Sequence, residues 1–288
     1  MLARNGYPAG VPCWIDIIRP DPAGTMAFYG DLFGWEFELR TPEEAPQRYA
    51  YARLDGLVVA GVGGPPMGEA EPTGWTTYVW VDSVDETAAL VEANGGRVLT
   101  PPVDIPRAGR VAVCTDPAGA TIGLWQAAEN QGAQLVNAPG SWNFSELEVC
   151  DPAVAERFYG AVFGWVSDSL AMSADRHMGM WRVPGYGDFL AEGDPGIRSR
   201  QEAEQAPSGF ADAVAITSPA SDGATDTPAR WSVIFAVVDA DAAFDRATEL
   251  GASVITPPFD TEYTRMGTVE DPQGATFTMS QYRPPTPT

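Results

Sequence analysis

Read for its alternation of apolar and polar positions, the chain shows one pattern that is then repeated. A short apolar run, Ile15-Asp16-Ile17-Ile18, is followed by Asp21-Pro22 and then by Phe28-Tyr29-Gly30-Asp31-Leu32-Phe33-Gly34-Trp35. The second half repeats this as Leu147-Glu148-Val149, Asp151-Pro152 and Phe158-Tyr159-Gly160-Ala161-Val162-Phe163-Gly164-Trp165. Asp is a good helix N-cap and Pro suits the first helical turn, so each block predicts strand, turn, capped helix and a Gly-Trp entry into a second strand. Glu36–Leu39, Tyr49–Leu54 and Leu57–Ala60 read as the strands that follow, with Asp55-Gly56 as a hairpin turn.

Beyond a Gly- and Pro-rich connection from Gly63 to Gly74 the pattern restarts. Trp75–Val81 alternates as a strand, and Asp82 opens a helix that runs to Asn94 and stops at Gly95-Gly96. Val98-Leu99, Arg110–Cys114 and Ala120–Trp125 read as the remaining strands. In the second half Trp231 matches Trp75, and Thr256-Pro257-Pro258 matches Thr100-Pro101-Pro102. The turn Asp271-Pro272-Gln273-Gly274-Ala275-Thr276 likewise matches Asp116-Pro117-Ala118-Gly119-Ala120-Thr121. The fold class is therefore α+β, with four βαβββ units in two tandem domains. The domains are expected at 1–128 and 140–288, with a linker at 129–139. The interval from Trp165 to Trp231 is longer than that from Trp35 to Trp75, which places an insertion at about 196–229. Its polar, Pro-containing composition fits a solvated loop, whereas the apolar stretch Phe210–Ile216 fits a lid over a cavity.

Composition narrows the partners. The chain has 288 residues, 17 basic against 39 acidic ones and a net charge of −22. Such a surface repels phosphate backbones and anionic lipid; it either attracts cationic small molecules or simply keeps the protein in solution. Residues 1–14 hold no apolar leader and no apolar run is long enough to span a bilayer, so a cytoplasmic protein is expected. Cys13, Cys114 and Cys150 have no metal-site spacing and read as small buried hydrophobes in a reducing compartment. Nucleophile-elbow, phosphate-loop and dinucleotide-binding motifs are absent.

The paired FYG…FGW blocks and DPxGAT turns resemble the vicinal oxygen chelate superfamily, the glyoxalase, bleomycin-resistance and extradiol dioxygenase group. The resemblance runs from about Gly10 to Arg283. It implies that each domain curls its sheet into a cup around a cavity. Within the superfamily the chain is similar to tandem-domain actinobacterial proteins, some of whose relatives bind antibiotics and one of which belongs to an anthracycline pathway. Metal-using members hold an ion with His, Gln or Glu on the first and last strands of each unit. Alignment puts Trp14, Ala60, Thr76 and Gly123 at those places in domain one. In domain two it puts Phe144, Ala191 (beside Glu192), Val233 and Thr278 there. These side chains make poor ligands, and a slip that recruits Asp16, Glu146 or Glu192 still does not assemble three donors in one cup. No metal and no cofactor are expected.

If the former metal positions face inward, strand parity lines the first cup with Trp14, Asp16, Ile18, Thr76, Tyr78, Trp80, Gly123 and Trp125. The second cup would take Phe144, Glu146, Glu148, Val233, Phe235, Thr278 and Ser280, with Trp181 nearby. Aromatic walls with an acid suit a flat aromatic ligand bearing a cationic group, or else they simply fill a vacated cup. His177, the only histidine, is either a base or ligand at a cavity mouth or an ordinary residue of the Ser173–Met178 loop. The expected function is metal-independent binding of a bulky aromatic natural product, anthracycline-like, with ligand contacts drawn from Trp14, Asp16, Tyr78, Trp80, Trp125, Phe144, Glu146, Phe235, Trp181 and His177. The alternative is a hydroxylase, lyase or isomerase with a non-standard site. Single-domain members often pair to complete their sites, and a tandem chain can do this internally. A monomer or weak homodimer is expected, with a biosynthetic enzyme as a further partner if the chain serves a pathway.

Overall fold

The computed structural model describes residues 3–42, 48–65, 74–173, 176–219 and 229–283, with the backbone alone for 169–173 and 176–178. The first half runs β1 (Pro12–Ile18), α1 (Pro22–Phe33), β2 (Glu36–Leu39), β3 (Tyr49–Leu54), β4 (Leu57–Gly63), β5 (Trp75–Trp80), α2 (Val84–Ala93), β6 (Arg97–Ile105), β7 (Gly109–Thr115) and β8 (Thr121–Ala127). The second runs β9 (Trp142–Val149), α3 (Pro152–Phe163), β10 (Val166–Ser173), β11 (Arg176–Arg182), α4 (Tyr186–Gly193), α5 (Ile197–Ala203), a 3-10 turn at Phe210–Asp212, β12 (Ala213–Pro219), β13 (Arg230–Ala236), α6 (Ala240–Glu249), β14 (Ser253–Asp260), β15 (Thr264–Glu270) and β16 (Thr276–Tyr282).

Two eight-stranded sheets result, ordered β2-β3-β4-β1-β5-β8-β7-β6 and β10-β11-β12-β9-β13-β16-β15-β14. These are the four βαβββ units the repeats predict. Asp21 caps α1 by accepting from the Gly24 N–H at 3.0 Å, and Asp151 caps α3 by accepting from Ala153 at 3.0 Å. Gly34 and Gly164 end these helices at φ 75° and 71°, where a side chain would be strained. The cap of α2 is Ser83 rather than Asp82, because the Ser83 hydroxyl reaches the Glu86 N–H.

The repeated motifs join the two halves. The Tyr29 hydroxyl donates to Asp271 at 3.1 Å and accepts from the Trp75 indole at 2.9 Å. The second half mirrors this, with Tyr159 donating to Asp116 at 3.0 Å and accepting from Trp231 at 2.8 Å. Asp116 and Asp271 also accept from the N–H groups of their own DPxGAT turns, at 2.8–2.9 Å. The Trp35 indole donates to the Gly140 carbonyl and the Trp165 indole to the Gly10 carbonyl, each just ahead of the other half's first strand. Phe33 packs on Phe235 with ring centroids 4.9 Å apart, so α1 is wedged against the second sheet as well as its own.

The insertion differs from the expected loop. Phe210–Ile216 forms the 3-10 turn and most of β12, and β12 pairs in parallel with β9 as β4 does with β1. The additional structure is α4 and α5, placed between β11 and β12. Residues 220–228 lie outside the described part of the chain. The expected linker crosses the end of the first sheet, with Ala133 N–H donating to Cys13 and Gln134 N–H to Val58. Cys13 and Cys114 are buried, but Cys150 is exposed, because it sits on the turn between β9 and α3. Among the described residues no helix is long and apolar enough to cross a membrane.

Candidate functional site

The first cup has Asp16 at its centre. Its two carboxylate oxygens accept from the hydroxyls of Tyr49 and Tyr78, both at 3.0 Å, and Tyr49 accepts in turn from the Trp14 indole at 3.1 Å. Trp14 opposes Tyr78 across the β1–β5 ladder, and Asp16 opposes Thr76, so the inward parity expected for this half holds. The two tyrosines lie across glycines. A Cβ on Gly61 would stand 2.0 Å from the Tyr49 hydroxyl, and one on Gly123 would stand 2.0 Å from the Tyr78 ring. Asp16 is only 6% exposed, and burial pushes its carboxyl up to about 7, although the two phenolic donors pull it down. Burial and the neighbouring Asp16 charge hold both phenols well above the usual tyrosine range.

Trp125 borders the same face, fixed by its indole N–H on the Asn130 carbonyl at 3.0 Å. Trp80 is its register partner, half-buried, with Tyr7 at 6.5 Å between ring centroids. Tyr51, also half-buried, meets Trp14 edge-on at 5.5 Å and carries the Arg40 guanidinium on its ring at 4.8 Å. The first cup thus gathers Trp14, Asp16, Tyr78, Trp80 and Trp125, and adds Tyr49 and Tyr51. Sequence reading placed Tyr49 and Tyr51 in a strand without a role. The available signal was the pair Gly61 and Gly63 on β4, since glycines inside a strand mark a close approach by another group.

The second cup is assembled differently. Ser232 opposes Glu146 and Ile234 opposes Phe144, so β13 turns Ser232 and Ile234 inward. Val233 and Phe235 face the other way, contrary to the expected parity. Phe235 is fully buried against Phe33, Trp35 and Trp75, in the joint between the halves. Trp181 also lies away from the cup, packed on Tyr159 at 5.6 Å and Trp165 at 5.7 Å. Ala191 and Glu192 sit on α4, and β12 occupies the strand position they were aligned to. His177 belongs to β11, paired with Ala171, rather than to a loop; its side chain lies outside the described residues.

Glu146 is half-buried, and its carboxyl is pushed up by burial, with the Ser218 hydroxyl bond acting against the shift. The neighbouring Glu148 is paired with Arg230 at 2.7 Å. Phe144 meets Phe210 at 6.0 Å beside a small cavity under α4 and α5. Thr278 and Ser280, register partners of Ile234 and Ala236, complete the inward row as expected. Bulky positions of the first cup are smaller here: Ile234 stands where Tyr78 does and Ala236 where Trp80 does.

Two family profiles cover most of the chain. The Glyoxalase/Bleomycin resistance protein/Dioxygenase superfamily profile matches residues 13–124, and a Glyoxalase-like domain profile matches 145–280. The chain belongs to the glyoxalase/bleomycin resistance protein/dioxygenase superfamily. One relative in the superfamily, CFP32 of Mycobacterium tuberculosis, named as a candidate glyoxylase, is 35% identical over 99% of both chains. The anthracycline biosynthesis protein DnrV of Streptomyces peucetius is 31% identical over 96% of this chain and 95% of its own. Among solved superfamily structures, the Mn(II)-bound glyoxalase from Novosphingobium aromaticivorans aligns with a TM-score of 0.59 at 16% identity, covering 95% of this chain and 82% of that one. That likeness is one of fold.

The superfamily's divalent ion does not fit the donors among the described side chains. Trp14, Thr76, Gly123 and Phe144 stand at the expected ligand positions, and both oxygens of Asp16 are already engaged by tyrosines. Among the described residues no three His, Cys, Asp or Glu side chains converge. What the first cup offers is an aromatic enclosure around one titratable acid.

Proposed function

We propose that the chain binds a bulky aromatic natural product of the anthracycline type, carrying a cationic group, without a metal ion, and sequesters it within a biosynthetic or self-resistance pathway. The observation that carries this reading is Asp16, an acid held by Tyr49 and Tyr78 under Trp14. A cationic ligand group brought to that acid keeps it ionised, and an aromatic body gains contact with the half-buried rings of Tyr51 and Trp80. Tyr49 and Tyr51 are the rim side chains whose rotation admits a ligand to a cup that they otherwise fill. The relationship to DnrV and the net charge of −22 support the same ligand class.

The test is a tryptophan-fluorescence titration of chelator-treated protein with daunorubicin. Saturable quenching at roughly micromolar ligand, weakened about tenfold in Asp16→Asn and Trp14→Ala, is expected. Linear, non-saturating quenching would remove the assignment. A second reading, an enzyme without a bound metal, is favoured by the carboxyl of Asp16 lying at about 7, suited to moving protons. It requires turnover whose pH profile has a limb near 7 that Asp16→Asn abolishes.

A further inference from the structure

In the first half, β3 and β4 are joined by the tight turn Asp55-Gly56; in the second, residues 183–212 take its place. This segment, with α4 and α5, lies across the end of the second sheet where β9 and β12 begin. Its far side is tied down by the Tyr263 hydroxyl on the Gln205 carbonyl at 3.1 Å and the Tyr282 hydroxyl on Glu204 at 3.3 Å. Beneath it is a cavity of about 110 Å³. Phe144, Phe210, Trp142, Leu190 and Val214 give it apolar wall, Asn137, Asn143 and Gln201 give it neutral polar wall, and no acidic residue lines it.

One charge enters this cavity. Arg4 lines it, its backbone N–H fixed on the Gln134 carbonyl at 2.9 Å. Its guanidinium lies over the rings of Tyr7 at 5.2 Å and Tyr186 at 5.7 Å and donates to the Tyr186 hydroxyl. In a chain with more than twice as many acids as bases, Arg4 forms no ion pair among the described residues. A guanidinium has five N–H donors in a fork matched to a carboxylate. Here one hydroxyl takes a single donor, and the side chain is half-buried at the cavity wall. Trp142, which also borders the cavity, buries an indole N–H that has no acceptor among the described residues.

We infer that this cavity binds a small monocarboxylic acid with an apolar body, its carboxylate on Arg4 and its body against the paired rings of Phe144 and Phe210. The volume is below the roughly 150 Å³ of a closed apolar cavity that holds benzene, but this cavity is open on one side, so a single ring enters it in part with its carboxylate towards Arg4. A dianion such as phosphate would bring two charges to a single guanidinium, and a neutral ring would leave Arg4 without a counter-charge. The site is separate from the Asp16 cup and does not depend on what that cup binds.

Calorimetric titration of the full chain with benzoate, benzamide and inorganic phosphate tests the inference. Benzoate is expected to saturate, and benzamide to bind at least about tenfold more weakly. In Arg4→Gln, shown to be folded by circular dichroism, the two should become equivalent. Equal affinity for benzoate and benzamide on the unaltered protein would overturn the inference, as would preferential phosphate binding, no saturable benzoate binding, or undiminished benzoate binding in folded Arg4→Gln. If Arg4→Gln does not fold, the benzoate-to-benzamide ratio on the unaltered protein decides alone.

Discussion

Tyr29 and Asp271, 242 residues apart, share a buried hydrogen bond of 3.1 Å. The same tyrosine receives the Trp75 indole, so one hydroxyl satisfies a carboxylate oxygen of the other half and a donor of its own. Removing it in Tyr29→Phe orphans both groups and is expected to cost about 1–3 kcal/mol. Tyr159→Phe, which orphans one carboxylate oxygen of Asp116 and the Trp231 indole, should cost a similar amount. Urea unfolding checks both, and a loss under ~0.5 kcal/mol in either would place that joint among ordinary surface contacts.

Asp16 makes stability depend on pH with an unusual sign. Its folded carboxyl titrates at about 7, well above the unfolded aspartate value near 3.9, so between these pH values the native state binds more protons than the unfolded state. The Asp16 contribution to stability, on the order of 4 kcal/mol, is therefore fully present below about pH 4 and is lost as pH rises to about 7. Asp16→Asn cannot titrate. Relative to the unaltered protein it should gain stability between pH 5 and pH 8, and parallel stability profiles for the two proteins would refute this.

The glycines under the tyrosines are a separate test. Gly61→Ala and Gly123→Ala place a methyl group where Tyr49 and Tyr78 now lie, forcing the rings off Asp16. Overpacking of this kind costs about 1–3 kcal/mol. Denaturant unfolding of each variant at neutral pH measures it, and a cost near zero would mean that the cup accommodates the methyl groups.

Metal addition gives a further check. A divalent ion bound to the native state stabilises it by about 2.7 kcal/mol at a hundredfold excess over its dissociation constant. With the donors described for the first cup, Mn²⁺ or Zn²⁺ added to chelator-treated protein is expected to leave the melting temperature unchanged. A saturable rise would show a donor set other than these residues.

The repeats, caps and turn chemistry made four βαβββ units legible, because these signals are local. Face parity was legible in the first half, where Trp14, Asp16, Thr76 and Tyr78 alternate without interruption. In the second half, matching Trp231 to Trp75 carries Thr76 to Ser232; assigning that place to Val233 slipped the row by one residue and turned Phe235 to the wrong side. The ladder also shifts register between Ile234 and Phe235. The partners of Tyr29 and Tyr159 could not be read, since no local pattern links a helix to a turn in the other half. Arg4 lies in a segment with no periodicity, and its surroundings come from three distant stretches of chain.

The packing of α1 on both sheets, and the bond from Tyr159 of α3 to Asp116, have a consequence for how the chain comes apart. Each half supplies aromatic cover and buried acceptors that the other lacks. Neither half is expected to fold on its own, and both should melt in one cooperative step. A protease cut between them would leave a tight two-piece complex, because the contacts that hold the fragments together are those that complete their cores.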